Sequence, residues 1–252
     1  AYYFVLAYGS LIVAGGEWRW YYLVGFLMLA CIIPSFFLLT EPDVPVARRE
    51  PFRVGRYFHD LVRVPHFLHM CLIIAATFVS YNLLTNFYAL YTAENLGIPQ
   101  EVSNRAFRLY PLMGFLCWPI GWLCDRVDKK YIIGSGIVCV MIAALIGTQA
   151  RVWWEFKPGE MWDLQAMAVF GGIGVGSIEV AIASFLVSLM PPDRIGQFSG
   201  LANVFRGGPR VLMFLFFGPV IEALNRQYII AYYGSILFAI IALILVCRFP
   251  KD

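Results

Sequence analysis

Long apolar runs separated by short polar stretches dominate the chain. A helix of about 20 predominantly apolar residues crosses the hydrocarbon core of a bilayer. Seven stretches read as such spans: 20–39, 67–91, 107–123, 131–149, 164–190, 198–221 and 228–247. Ahead of them, 1–14 is apolar but short, and neither a methionine nor a basic leader opens it. We expect a helix cut short there, and a chain that is a piece of a longer one.

The runs are unequally polar. The stretches 131–149 and 228–247 hold almost nothing polar in their middles, and 20–39 is bare apart from Ser35. By contrast, 67–91 carries Ser80, Tyr81, Asn82, Thr85 and Asn86, and 164–190 carries Glu179. Polar groups at membrane depth are costly unless they face protein or a water-filled cavity. Some helices therefore line a cavity, while every third one faces lipid.

Composition changes the picture only by exclusion. Hydrophobic residues make up 60% of the 252 positions and charged residues 14%, with a mean hydropathy of +0.72. A soluble domain of this size needs far more charge to cover its surface, and disorder, collagen and coiled coil fail for the same reason. The net charge of +3 is too small to imply a nucleic-acid partner. The six cysteines lie in or at the ends of apolar runs without a CxxC, so neither a disulfide frame nor a metal site is expected, and no cofactor is implied.

Lysine and arginine in short loops favour the cytoplasm. One set of loops and the tail hold eleven: Arg48, Arg49, Arg53, Arg56, Arg63, Arg126, Lys129, Lys130, Arg194, Arg248 and Lys251. The opposite set holds five: Arg19, Arg105, Arg151, Lys157 and Arg226. The C-terminus is thereby expected in the cytoplasm, with Trp18, Trp20, Trp153, Trp154 and Trp162 at the outer interface. The segment 41–65 is long, basic and proline-broken; it reads either as an amphipathic helix on the anionic leaflet or as a solvated linker.

A carboxylate deep in a membrane is a functional hypothesis by default. Glu179 lies 11 residues before Met190, about 16 Å from the turn at 191–194, and Arg206 lies 9 residues after Gln197, about 14 Å from the same turn. An anion and a cation thus sit at matching depth. Gly172, Gly176, Glu179 and Ala183 recur at helical spacing and are expected to form a smooth face around the carboxylate; Ser199, Asn203, Arg206 and Arg210 share a face of the next helix. Two readings stand: a proton- or solute-binding carboxylate tuned by arginine, or a static ion bridge. Asn82 with Asn86, and Tyr81 with Thr85, sit one turn apart, either as contacts for a polyhydroxylated solute or as interhelical polar glue. His66 and His69 read as interfacial, and Pro111, Pro119, Gly207, Gly208, Pro209, Gly218 and Pro219 are expected to interrupt the stretches 107–123 and 198–221.

The segment from Gly121 to Lys130 resembles the loop signature GxLaDRxGRK of the major facilitator superfamily. Gly121, Leu123, Asp125, Arg126 and Lys130 match, Cys124 stands for a small residue, Lys129 for an arginine and Asp128 for a glycine. The resemblance implies twelve helices in two bundles joined by a cytoplasmic linker. It makes this chain an all-α polytopic membrane bundle holding helices five to twelve: the last two of the first bundle at 1–40, the linker at 41–65 and a six-helix bundle at 66–252. It gives the loop a gating role, with Gly121 permitting close helix approach and Asp125 and Arg126 forming a lock. The turn bearing Pro192, Gly196, Gln197, Phe198 and Arg206 is similar to that of glycoside and sucrose:cation symporters.

The implied function is secondary transport of a small polar solute, sugar-like as first guess, by alternating access and coupled to a proton or sodium ion. A drug or metabolite exporter, or a sensor on the same fold, is the alternative. Motifs for ATP use or intramembrane catalysis are missing from these residues, so no enzyme is expected.

Overall fold

The computed structural model describes residues 66–149, 161–190 and 195–250, together with positions 26, 30 and 64. The span at 20–39, apart from helical Phe26 and Ala30, the segment 41–65, the tryptophans at 18, 20, 153 and 154 and the 191–194 turn lie outside the described residues. Contacts divide the chain into Ala1–Arg63 and Val64–Asp252, and the second unit holds the helices from Phe67 onward.

The described residues of this unit are all helical or in turns. Helix α1 (Phe67–Asn86) continues past Phe87 into α2 (Tyr88–Leu90) and a π-helical turn, Tyr91–Asn95. Gly97, at φ 66°, then reverses the chain in a left-handed conformation that favours glycine. The stretch predicted as one span at 107–123 starts earlier and is broken: α3 (Gln100–Phe107), α4 (Leu109–Leu112), a 3₁₀ turn (Met113–Leu116) and α5 (Cys117–Cys124). Pro111 and Pro119 each remove a backbone N–H from the ladder, and these residues do not form one regular cylinder. The expected interruption at Pro209 and Pro219 is not found: Ile195–Ala223 runs as one helix through both prolines, each costing it one ladder bond without ending it. Then come α6 (Lys129–Gln149), α7 (Trp162–Leu189), α8 (Ile195–Ala223) and α9 (Ile229–Cys247). Five helices among the described residues are long and apolar enough to cross a membrane.

Small residues decide which helices touch, as expected where lipid tails compete with side chains for contact. Helix α6 lies on α7 with backbone against backbone: a Cβ on Gly136 would stand 2.9 Å from Gly174 O, and one on Gly174 2.7 Å from Gly136 O. A Cβ on Gly147 would enter the ring of Tyr232 on α9, while a Cβ on Gly234 would stand 2.6 Å from Phe217 on α8. Helix α9 closes against α1, where Ser80 Oγ donates to Ser235 O at 2.9 Å. At one end, His69 Nε2 donates to Leu245 O at 2.8 Å, and Phe249 packs against the rings of His66, His69 and Phe185. At the other, Asn95 Oδ1 accepts the Tyr228 N–H at 2.9 Å.

Helix α8 is the exception to this dense packing. Of its described side chains only Phe198, Ala202, Met213 and Ile221 are buried. It leans on α1, and an all-carbon cleft of about 440 Å³ opens between α1, α8 and α9, lined by Leu72, Val79, Phe216 and Leu245 among others.

The Gly136–Gly174 contact yields a test. Replacing Gly136 with leucine should lower the stability of the purified protein by about 1–3 kcal/mol, read as a lower thermal midpoint in detergent, because α6 and α7 must separate. Glycine to alanine at Gly200, whose Cβ meets nothing within 4 Å, should leave the midpoint unchanged.

Candidate functional site

Three helices bring the polar residues of the sequence together. Glu179 leaves α7 towards α1 and α8 and accepts on both oxygens. Tyr81 Oη of α1 donates to Oε1 at 3.2 Å, and Arg206 Nη2 of α8 forms an ion pair with Oε2. The carboxylate and guanidinium side chains are 26% and 32% exposed, partly withdrawn from solvent yet reachable. The Arg206 guanidinium also lies 5.1 Å from the ring centroid of Phe78, and that ring leans on Tyr81 with centroids 4.9 Å apart. Phe78 was not among the sequence candidates; cation–π contact with a ring on a different helix leaves no periodic trace.

A chain of amides runs beside the pair. Asn82 Nδ2 donates to Phe78 O at 2.6 Å, Asn86 Nδ2 donates to Asn82 Oδ1 at 3.2 Å, and Arg210 Nη2 donates to Asn86 Oδ1 at 3.4 Å. The amides at Asn82 and Asn86 are therefore engaged with protein. Thr85 Oγ1 donates back to Tyr81 O at 3.0 Å, a bond within its own helix. Asn203 is exposed and makes no hydrogen bond to another described residue. Of the eight residues singled out, Tyr81, Glu179 and Arg206 form one bonded group and Asn82, Asn86 and Arg210 a second, with Thr85 and Asn203 beside them.

Two expectations about glycine need correcting. Gly172 and Gly176 do not form a free face around Glu179. A Cβ on Gly172 would strike Tyr110 O and Met113, and one on Gly176 would come within 3.3 Å of Cys117 Sγ. Both serve to let α7 approach the broken helix. At Gly121 the demand is weak: a Cβ there would sit 3.8 Å from Val180 Cγ1, an ordinary contact, so close helix approach is not what this glycine provides here.

The rest of that loop is arranged differently from a simple lock. Arg126 lies over the ring of Trp122, 3.9 Å from its centroid, and Asp125 is exposed with no ion pair to another described residue. Lys129 is the first residue of α6, half-buried, and Lys130 Nζ donates to Phe249 O at 3.0 Å. Asp128, which stands where the family signature has glycine, accepts the Lys130 N–H on Oδ1 at 3.0 Å. It caps the first turn of α6, a role in which a carboxylate also complements the helix dipole. Among the described residues no three His, Cys, Asp or Glu side chains gather to hold a metal.

Helices long enough to cross a bilayer, packed through glycine and enclosing an ion pair between three of them, define a polytopic membrane protein with a polar seam at membrane depth. The family model described as Major Facilitator Superfamily matches residues 1–214, and the chain belongs to that superfamily. It is thus an integral membrane protein of a family of secondary transporters that carry small-molecule solutes across lipid bilayers. No curated protein and no solved structure matches it.

The pair predicts a non-additive pattern. Arg206→Gln alone leaves Glu179 without its counter-ion and should cost about 2 kcal/mol, read as a lower thermal midpoint in nanodiscs. The double variant Glu179→Gln with Arg206→Gln should recover most of that loss. Equal midpoints for the single and double variants would show that the two charges are not coupled.

Proposed function

We propose that the protein moves a small polar solute by alternating access, with Glu179 as the group that binds a coupling proton. The observation that carries this reading is the bonding of one carboxylate to Tyr81 on α1 and to Arg206 on α8. A carboxylate that takes up a proton loses its attraction for a guanidinium. Protonation of Glu179 would release Arg206 and loosen α8, the least buried of the five long helices. Deprotonation would draw it back. That gives an ion gradient a mechanical output in the bundle, as alternating access requires.

The solute would enter beside this pair, in the space bounded by Tyr81, Arg206 and Arg210. The sugar-type reading drew on one of two readings of the amides at Asn82 and Asn86 and on the turn around Gly196; since those amides bond to protein, the contacts favour a polar solute without favouring a sugar. The loop with Arg126 and Lys130, and the C-terminus, belong on the cytoplasmic side in this proposal, in keeping with the excess of basic residues.

The test uses full-length protein in proteoliposomes with an imposed pH gradient. Wild type should accumulate its solute against a concentration gradient while the pH gradient is imposed, and should stop when it is collapsed. Glu179→Gln should lose accumulation yet retain exchange of labelled for unlabelled solute. Accumulation by Glu179→Gln under the same pH gradient would return the carboxylate to a purely structural role.

A further inference from the structure

We infer that the solute carries an oxyanion, a carboxylate or phosphate group, and that Arg210 receives it. This rests on the transport reading proposed for Glu179 and adds to it the charge class of the cargo.

The first argument is electrostatic. Away from their ends, α1, α7 and α8 hold three charged side chains: Glu179, Arg206 and Arg210. Arg206 neutralises Glu179. Arg210 has only the neutral oxygen of Asn86, at 3.4 Å, and Glu222, the other carboxylate of α8, lies 12 residues further on, about 18 Å along the axis. Arg210 itself stands about 6 Å beyond Arg206 along the same helix, still within the roughly 30 Å core. One positive charge is therefore left without a counter-charge among the described residues at a depth where charge is expensive. A neutral solute would leave that cost in place, whereas an anion cancels it.

The second argument is geometric. Arg210 is exposed, in the seam that α8 shares with α1, one turn along from Arg206. Asn86 is held by Asn82, and Asn82 by Phe78 O, so two bonds in a row hold the amide whose oxygen orients the guanidinium. One N–H is engaged, and the remaining donors have no partner among the described residues. A planar fork with free donors suits a two-oxygen acceptor, and side-by-side bonds to a carboxylate or phosphate are stronger than bonds to hydroxyls. The amide row is thus a positioning device for a cation and not a ligand surface in its own right.

The same oxyanion chemistry could be supplied by a lipid headgroup or by a carboxylate elsewhere in the protein, and the experiment separates the sources. Full-length wild type, Arg210→Lys and Arg210→Gln are reconstituted in phosphatidylcholine alone, which brings no net negative charge. Thermal midpoints are recorded with sodium acetate, lactate, gluconate and phosphate, with sodium chloride at matched ionic strength, and with glucose and sucrose. We expect at least one oxyanion to raise the wild-type midpoint with saturation, while chloride and the sugars do not. Its apparent affinity should fall roughly tenfold to a hundredfold in Arg210→Gln and less in Arg210→Lys, which keeps the charge and controls for folding. Three results overturn the proposal. One is stabilisation of wild type and Arg210→Gln alike by the sugars. Another is a shift seen only when phosphatidylglycerol is added, which assigns the site to a headgroup. The third is no shift of wild type by any oxyanion while Arg210→Gln lowers the ligand-free midpoint, which assigns Arg210 to an internal bridge. Anion binding through Arg210 without flux of any solute would instead sink the transport reading and leave this one standing.

Discussion

A charge cannot stay alone in hydrocarbon, and this constraint organises the second half of the molecule. Glu179 needs a partner, and Arg206 on α8 supplies it together with the Tyr81 hydroxyl. Because α8 buries so little of its own surface, the bond between the two charges is a larger share of what holds that helix than any single contact is for α6 or α9. The densely packed helices gain their stability from glycine-mediated approach, which is geometric and does not respond to solution conditions. The loosely packed one is tied by an electrostatic bond, which does. The division of labour places responsiveness on α8 and rigidity on α6, α7 and α9.

The broken helix fits the same division. The stretch holding Pro111 and Pro119 is not a regular cylinder, and α7 meets its irregular surface with Gly172 and Gly176. The backbone of α7 is therefore anchored on two sides, by Gly174 against α6 and by Gly172 and Gly176 against Tyr110, Met113 and Cys117. Glu179 extends from the more tightly packed of the two helices that the ion pair joins.

Much of this was legible in the chain. Apolar runs reveal spans because length and composition alone decide whether a helix crosses a bilayer, and the matching depths of Glu179 and Arg206 came from a constant rise per residue. The run at 107–123 was half legible: its two prolines marked an interrupted helix, but the early start at Gln100 lies in polar residues that an apolar pattern leaves out. At the site, residue type identified the polar groups but not their partners. Asn82 and Asn86 stood one turn apart, either as solute contacts or as polar glue between helices, and spacing could not say that they bond chiefly along their own helix and pass on to Arg210. Gly172 looked like a smooth wall because glycine serves both an open face and a close approach, and only the neighbour tells them apart. Asp128 looked like a departure from the family loop, and its carboxylate caps the next helix.

The closure of α9 on α1 carries a consequence for biosynthesis. Ser80 and His69 wait for partners that lie some 155 to 180 positions later, at Ser235, Leu245 and Phe249. When α1 enters the bilayer, the ribosome has yet to make any of them. Helix α1 must therefore be sheltered by the translocon or by lipid until α9 emerges, and the two helices close on each other only then.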